Sequence, residues 1–149
     1  MNSPPQSVAA TLSGAEAERE RWEVIVVGGG PAGASCAARL AMRGIRTLLV
    51  DRQPMPRAKV CGCCLSRLAV GELADLAATP AGTSLGDLRI AALVSVQLLH
   101  QGRAASVSLP GGGVISREAL DPALVRSGIT VGAHWLPESR VTAVDDAPA

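Results

Sequence analysis

The chain has 149 residues, with 14 Lys and Arg against 13 Asp and Glu, for a formal net charge of +1. That length suits one domain with a real hydrophobic core. The near-neutral charge, and aromatics limited to Trp22 and Trp135, exclude the basic, stacking surface that nucleic acid requires.

Residues 1–21 differ in kind from the rest. Pro4-Pro5, scattered Ser and Thr, and the charged stretch Glu16 to Arg21 offer no apolar face. They read as a disordered N-terminal extension, ending at most in one polar helical turn. No basic start leads into an apolar core, so this is not a secretory signal. The uncharged stretch Val24 to Ala38 is too short to span a bilayer and is broken by glycines. Four cysteines without an export signal point to a reducing, cytoplasmic setting.

Residues 22–149 form the structured part. Val24 to Val27 is a β-branched run expected to be a strand buried on both faces. It breaks into Gly28-x-Gly30-x-x-Gly33, and Asp51 follows 18 residues after the last glycine. This is the fingerprint of a strand–turn–helix that seats a dinucleotide pyrophosphate. The first glycine allows the turn, the second a close approach of backbone to phosphate, and the third tight helix–strand packing. Pro31 fits the first helical turn, where a missing N–H costs nothing. Ala34, Ala37, Ala38 and Ala41 form a narrow stripe of small side chains that lets the helix lie close to the sheet. Gly44 suits the C-terminal cap. Thr47 to Val50 is a second buried strand, with Asp51 at its carboxyl end, where a carboxylate can accept from ribose hydroxyls.

Arg52 to Val60, with Pro54 and Pro56, reads as a loop. Leu65 to Ala78 has helical apolar spacing, with Gly71 a weak point inside it. Alternation over Ile90 to Leu98 and again over Ala105 to Leu109, with His100-Gln101-Gly102 between, predicts an antiparallel hairpin. Ser116 is a good N-cap for a helix from Arg117. That helix requires Pro122 in its first turn or so, or Asp121 as its own cap. Gly128 to Val131 is compatible with helix or strand, and Arg140 to Asp145 is expected to be a final strand. The fold class is therefore α/β, with a Rossmann-like βαβ unit and an inserted antiparallel β-hairpin.

These residues resemble flavoproteins of the p-hydroxybenzoate hydroxylase type, and most closely their geranylgeranyl-reductase-like branch. Three motifs carry the likeness: GGGPAG followed by Asp51-Arg52; the basic loop Arg57-Ala-Lys59-Val running into Cys61-Gly62; and Arg117 followed by Asp121 and Leu124. The resemblance covers roughly residues 22 to 146, and implies the N-terminal part of an FAD-binding domain. It further implies that Gly28, Gly30, Pro31, Ala32 and Gly33 line the pyrophosphate and that Asp51 holds the adenosine ribose. Arg52 would lie near adenine or ribose, Cys61 and Gly62 beside the flavin ring, Arg117 near phosphate or ribitol, and Val141 in the segment touching adenine. The chain departs from the family in having Cys63-Cys64 where further glycines are common. It also lacks a later Gly-Asp motif and a substrate-binding half, so the fold is expected to be incomplete without a C-terminal portion.

Cys61-Gly62-Cys63-Cys64 contains a C-x-x-C spacing. Zinc would need two further ligands, and His100 and His134 stand alone, so no metal site is expected. A redox dithiol near a helix start is a chemical alternative, while small polarizable fillers beside a cofactor are the plainer one. Cys36 is expected in the core, His100 at a hairpin turn and His134 on a surface edge. The acid at Asp51 disfavours the 2′-phosphate of NADP, and the antiparallel hairpin is out of place in an ordinary NAD dehydrogenase. The expected function is the FAD-binding portion of a flavin-dependent oxidoreductase, a monooxygenase or a double-bond reductase. Its reductant would be NADH or NADPH and its substrate a small, hydrophobic molecule. The alternatives are a non-catalytic dinucleotide-binding fragment and a cysteine-dependent flavin disulfide oxidoreductase.

Overall fold

A computed structural model describes residues 7–61 and 63–144. In chain order the elements are α1 (Gly14–Arg19), β1 (Val24–Val27), α2 (Pro31–Ala41), β2 (Thr47–Val50), β3 (Cys64–Ser66) and α3 (Arg67–Ala77). A 3₁₀ turn (Pro80–Ser84) follows, then β4 (Ala91–Ala92), β5 (Ser95–His100), β6 (Arg103–Ser108), β7 (Gly112–Val114), α4 (Arg117–Thr130) and β8 (His134–Leu136).

The βαβ unit forms as its pattern requires. Strands β1 and β2 pair in parallel with Val24 opposite Thr47, and β8 joins the far edge of β2 in parallel, giving the order β1-β2-β8. A second sheet, β3-β7-β4, is antiparallel, and β5-β6 stands apart as a hairpin turning at Gln101-Gly102. The α/β class with a Rossmann-like unit and an antiparallel hairpin is thus the observed one.

The parallel sheet has two covered faces. Leu49 points to one side and joins Ala34, Ala37, Ala38, Leu124 and Trp135 in the main core beneath α2 and α4. Leu48 and Val50 point to the other and meet Ala17, Leu12, Trp22 and Leu136. That second cluster is built by the N-terminal segment. The expectation that residues 1–21 are disordered therefore fails over residues 7–21, while residues 1–6 lie outside the described residues. The physical cause is β2: its outer apolar face needs a cover. Val8 N–H donates to Met55 C=O at 3.1 Å, Thr11 N–H donates to Trp135 C=O at 3.0 Å, and Trp135 N–H donates to Thr11 Oγ1 at 2.7 Å. A capping box starts α1: Glu16 N–H donates to Ser13 Oγ at 3.3 Å, and Ser13 N–H donates to Glu16 Oε2 at 2.7 Å.

Strand β1 departs from expectation in burial. Ile25 and Val27 are 53% and 59% exposed, because β1 is an edge strand and the N-terminal cover stops over β2 and β8. In the alanine stripe of α2, Ala34, Ala37 and Ala38 are buried and Ala41 partly so, and the stripe serves helix–helix contact as well as the sheet. The position of a Cβ on Gly128 of α4 lies 3.7 Å from Ala38 N and 3.9 Å from Ala34 O, so only a small residue lets α4 approach this far. Cys36 is exposed instead of buried, since it sits on the side of α2 opposite Ala34 and Ala38.

Helix α4 runs unbroken from the Ser116 cap to Thr130, so Gly128 to Thr130 is helical. Pro122 lies in the second turn, past the first-turn position expected for it, and its missing N–H leaves the Glu118 carbonyl without its usual helical donor. The helix is buried nearly all round, between α2, the 3₁₀ turn and β8, and Ser127 Oγ donates to Ala81 C=O at 2.7 Å. Residues 140–144 form no strand, and Asp145 lies outside the described residues; the last strand is β8, ahead of them. His134 sits in β8, an edge strand of the parallel sheet, partly buried and edge-on to Trp22 with ring centroids 5.0 Å apart. His100 closes β5 opposite Arg103, beside the hairpin turn.

The packed N-terminal segment makes a checkable difference. Ala17→Asp places a charge against Leu48 and Val50, and should lower unfolding stability by about 1–3 kcal/mol in urea titration. A mobile segment would leave the midpoint unchanged.

Candidate nucleotide-binding site

The site is built where β1 and β2 end. Gly28 has φ +105°, a conformation that favours glycine, and its N–H donates to Val50 C=O at 2.7 Å, tying the turn to the neighbouring strand. A Cβ on Gly33 would lie 1.9 Å from the Gly28 carbonyl oxygen, so the helix start packs directly on the turn. Gly30 is the N-cap of α2 and offers no side-chain cap, leaving the first N–H groups of the helix directed outward. Sequence reasoning missed Gly29. A Cβ there would stand 2.9 Å from the Trp135 ring, and the signal was open to view only as an unassigned glycine in the fingerprint.

Asp51 is buried at the end of β2. Its carboxylate accepts from Gly29 N–H at 2.7 Å (Oδ2) and from Gln53 N–H at 3.0 Å (Oδ1). Arg57 Nη1 donates to both oxygens, at 2.7 and 2.8 Å. The backbone of Asp51 is held on both sides, by its N–H to Leu136 C=O and by Ser139 N–H to its own C=O. Beyond Arg57 lies a second buried acid. Asp121 is fully buried and takes a fork from Arg117, Nε to Oδ1 at 2.5 Å and Nη2 to Oδ2 at 2.7 Å. Arg57 Nε stands 3.8 Å from Asp121 Oδ2, too far for a hydrogen bond. Asp51, Arg57, Asp121 and Arg117 thus form an alternating row of charges across the mouth of the turn. The Asp121 carboxylate holds Arg117 protonated, with its pKa raised further above its ordinary value.

An open cleft of about 820 Å³ lies over these groups. Gly28, Gly30, Pro31, Ala32, Gly33, Asp51, Arg52, Arg117 and Val141 all line it, which brings together nine of the eleven residues expected from the sequence. Arg57, Lys59, Gln53, Ser139 and Arg140 line it too, and sequence reasoning did not include them as site residues. Their lining is basic and Asp51 is its carboxylate, a balance suited to a ligand bearing phosphates and a hydroxylated sugar. Val141 reaches the cleft from irregular backbone and not from a strand.

Cys61 does not line the cleft but stands beside Arg117, and Gly62 lies outside the described residues. Cys63 N–H donates to Cys61 Sγ at 3.4 Å. That bond, then the Arg117 guanidinium, lowers the Cys61 thiol below its ordinary pKa. No disulfide forms among the described residues.

The comparisons with known proteins agree with this geometry. A family model described as "FAD binding domain" matches residues 21–71. The chain is 46% identical over 56 residues to a menaquinone reductase of Mycolicibacterium smegmatis, a match covering 38% of this chain and 14% of that protein. It is 38% identical over 65 residues to a chloroplastic geranylgeranyl diphosphate reductase of Arabidopsis thaliana, covering 44% of this chain and 14% of the relative. A solved geranylgeranyl bacteriochlorophyll reductase-like protein from Thermoplasma acidophilum shares the fold with a TM-score of 0.62 at 24% identity, over 78% of this chain and 30% of that one. A flavoprotein/dehydrogenase from Cytophaga hutchinsonii gives a TM-score of 0.69 at 20% identity, over 86% and 33%. Over residues 21–71 the motif is that of an FAD binding domain, and the wider fold is shared with these solved structures. Within that class the chain resembles the geranylgeranyl-reductase-like branch, and it spans about a seventh of the curated relatives it matches.

Two outcomes follow from the geometry. Gly33→Ala sets a methyl against the Gly28 carbonyl, and thermal or urea unfolding should show a loss of about 1–3 kcal/mol. Wild-type stability in that variant would mean the turn and helix are not packed as described. For Cys61, the lowered pKa keeps the thiolate to lower pH. Peptide-resolved alkylation by iodoacetamide should therefore have its pH midpoint below the ordinary value of about 8.5. A midpoint at or above that value would contradict the Cys63 and Arg117 contacts.

Proposed function

We propose that the cleft binds FAD, with its pyrophosphate at the N-terminus of α2 and its adenosine ribose toward Asp51. The observation that carries this reading is the pairing of an uncapped helix start with a buried carboxylate 22 residues after Gly29, bonded to that glycine's N–H. A cradle in which Gly30 leaves room for an anion, with Arg117 Nη2 3.4 Å from where its Cβ would stand, fits a diphosphate. Gly28, Pro31, Ala32 and Gly33 would form the floor, Arg52 and Val141 the adenosine end, and Arg117 the phosphate side. Cys61 and Gly62 belong to the flavin side of this reading, where the Cys61 thiolate would face the ring edge.

In the intact enzyme the bound flavin would supply two-electron chemistry. This chain's residues bind it, orient it through Asp51 and hold positive charge beside its phosphates. A reductase or monooxygenase acting on a small, hydrophobic substrate, reduced by NADH or NADPH in the cytoplasm, is the activity we favour. The reductases among its sequence relatives support that choice. No helix among the described residues is long and apolar enough to cross a membrane.

Titration of FAD into the 149-residue chain, followed by flavin fluorescence, tests the reading. Binding should saturate and raise unfolding stability by about 2.7 kcal/mol at a hundredfold excess over Kd. Gly30→Val should abolish it, since the branched side chain fills the phosphate position. Equal affinity in that variant, with the fold intact by circular dichroism, would sink the assignment.

A further inference from the structure

Arg57 occupies the acceptors that a ribose needs. A carboxylate offers about four acceptor positions, and in Asp51 two are taken by the backbone N–H groups of Gly29 and Gln53. Arg57 Nη1 reaches both oxygens and takes the remainder. A ribose hydroxyl can donate to Asp51 only where Arg57 withdraws. The pair is also poorly made for permanence. One nitrogen spans both oxygens in place of the two-nitrogen fork that Arg117 makes with Asp121. Arg57 Nε is buried with no hydrogen-bond partner, and a buried donor without an acceptor is costly. Meanwhile Arg57 Nη2 already lies 3.8 Å from the point a Cβ would occupy on Gly30, at the head of α2.

We infer that Arg57 is an exchangeable plug in the ribose site, moving from Asp51 to the ligand's phosphates when a phosphorylated nucleotide enters. The inference rests on the cleft being a nucleotide site and adds how it selects its ligand. A nucleoside without phosphate must break the Asp51–Arg57 pair and gives Arg57 no new acceptor. A nucleoside diphosphate breaks the same pair and then satisfies the guanidinium, its idle Nε included. Asp121 keeps the displaced cation near the cleft in either state, since its carboxylate faces Arg57 as well as Arg117. The site thereby rejects adenosine and accepts adenosine diphosphates through one side chain.

Calorimetric titration of adenosine and of ADP into wild type and Arg57→Met separates the outcomes. Removing the plug should raise adenosine affinity about tenfold and lower ADP affinity about tenfold, the scale of one charge-assisted hydrogen bond. Parallel losses for both ligands, or an unchanged adenosine affinity, would overturn the exchange while leaving the nucleotide site standing. A wild type that binds neither ADP nor FAD would remove the site itself. Should Arg57→Met fail to fold, the Arg57 Nε–H resonance of the wild-type chain gives the answer. It should shift on saturation with ADP as it gains an acceptor, and an unmoved resonance would overturn the exchange.

Discussion

The hydrogen bond from Gly29 N–H to the buried carboxylate of Asp51 is the constraint on which the rest of this structure depends. It joins the turn after β1 to the end of β2, two points 22 residues apart in sequence. With it in place, the Gly28 carbonyl can lie under the Gly33 backbone and the start of α2 faces the cleft. A charged acceptor for a backbone N–H in a buried setting is stronger than a neutral one. It also carries an obligation, because a buried carboxylate must be fully satisfied. Gln53 and Arg57 complete that satisfaction, which draws the loop after β2 back over the cleft.

The second acid, Asp121, does for α4 what Asp51 does for β2. Fully buried, it fixes Arg117 one turn earlier on the same helix, so a guanidinium overhangs the head of α2. The small side chains of α2 and Gly128 let α4 come close enough for that to happen. Packing and electrostatics are therefore one design. Were a large residue to hold the helices apart, Arg117 would move away from the head of α2 along with α4.

Much of this was legible from the residues. The glycine spacing, the apolar runs and the acid after β2 each state a local physical requirement, so β1, α2, β2 and the Asp51 end of the cleft could be read directly. Where the reading failed, the cause was contact between distant segments. The order of residues 7–21 comes from the outer face of β2, although the Ser13-x-x-Glu16 capping box was a local sign of it. The exposure of Ile25 and Val27 depends on which strands have neighbours. Helix α4 hid its extent because a helix buried nearly all round shows no polar stripe, Pro122 allowed a later start, and Gly128 to Val131 is poor helical sequence. Arg57 stood in a recognised basic loop, yet nothing in the spacing says that the loop folds back onto Asp51.

Amide hydrogen exchange at Gly29, compared between wild type and Asp51→Ala, measures the central bond most directly. The account predicts a protected amide in wild type and exchange about 10–100-fold faster in the variant, the scale of a hydrogen bond to a charged acceptor. An exchange rate at Gly29 that ignores the loss of the carboxylate would contradict it.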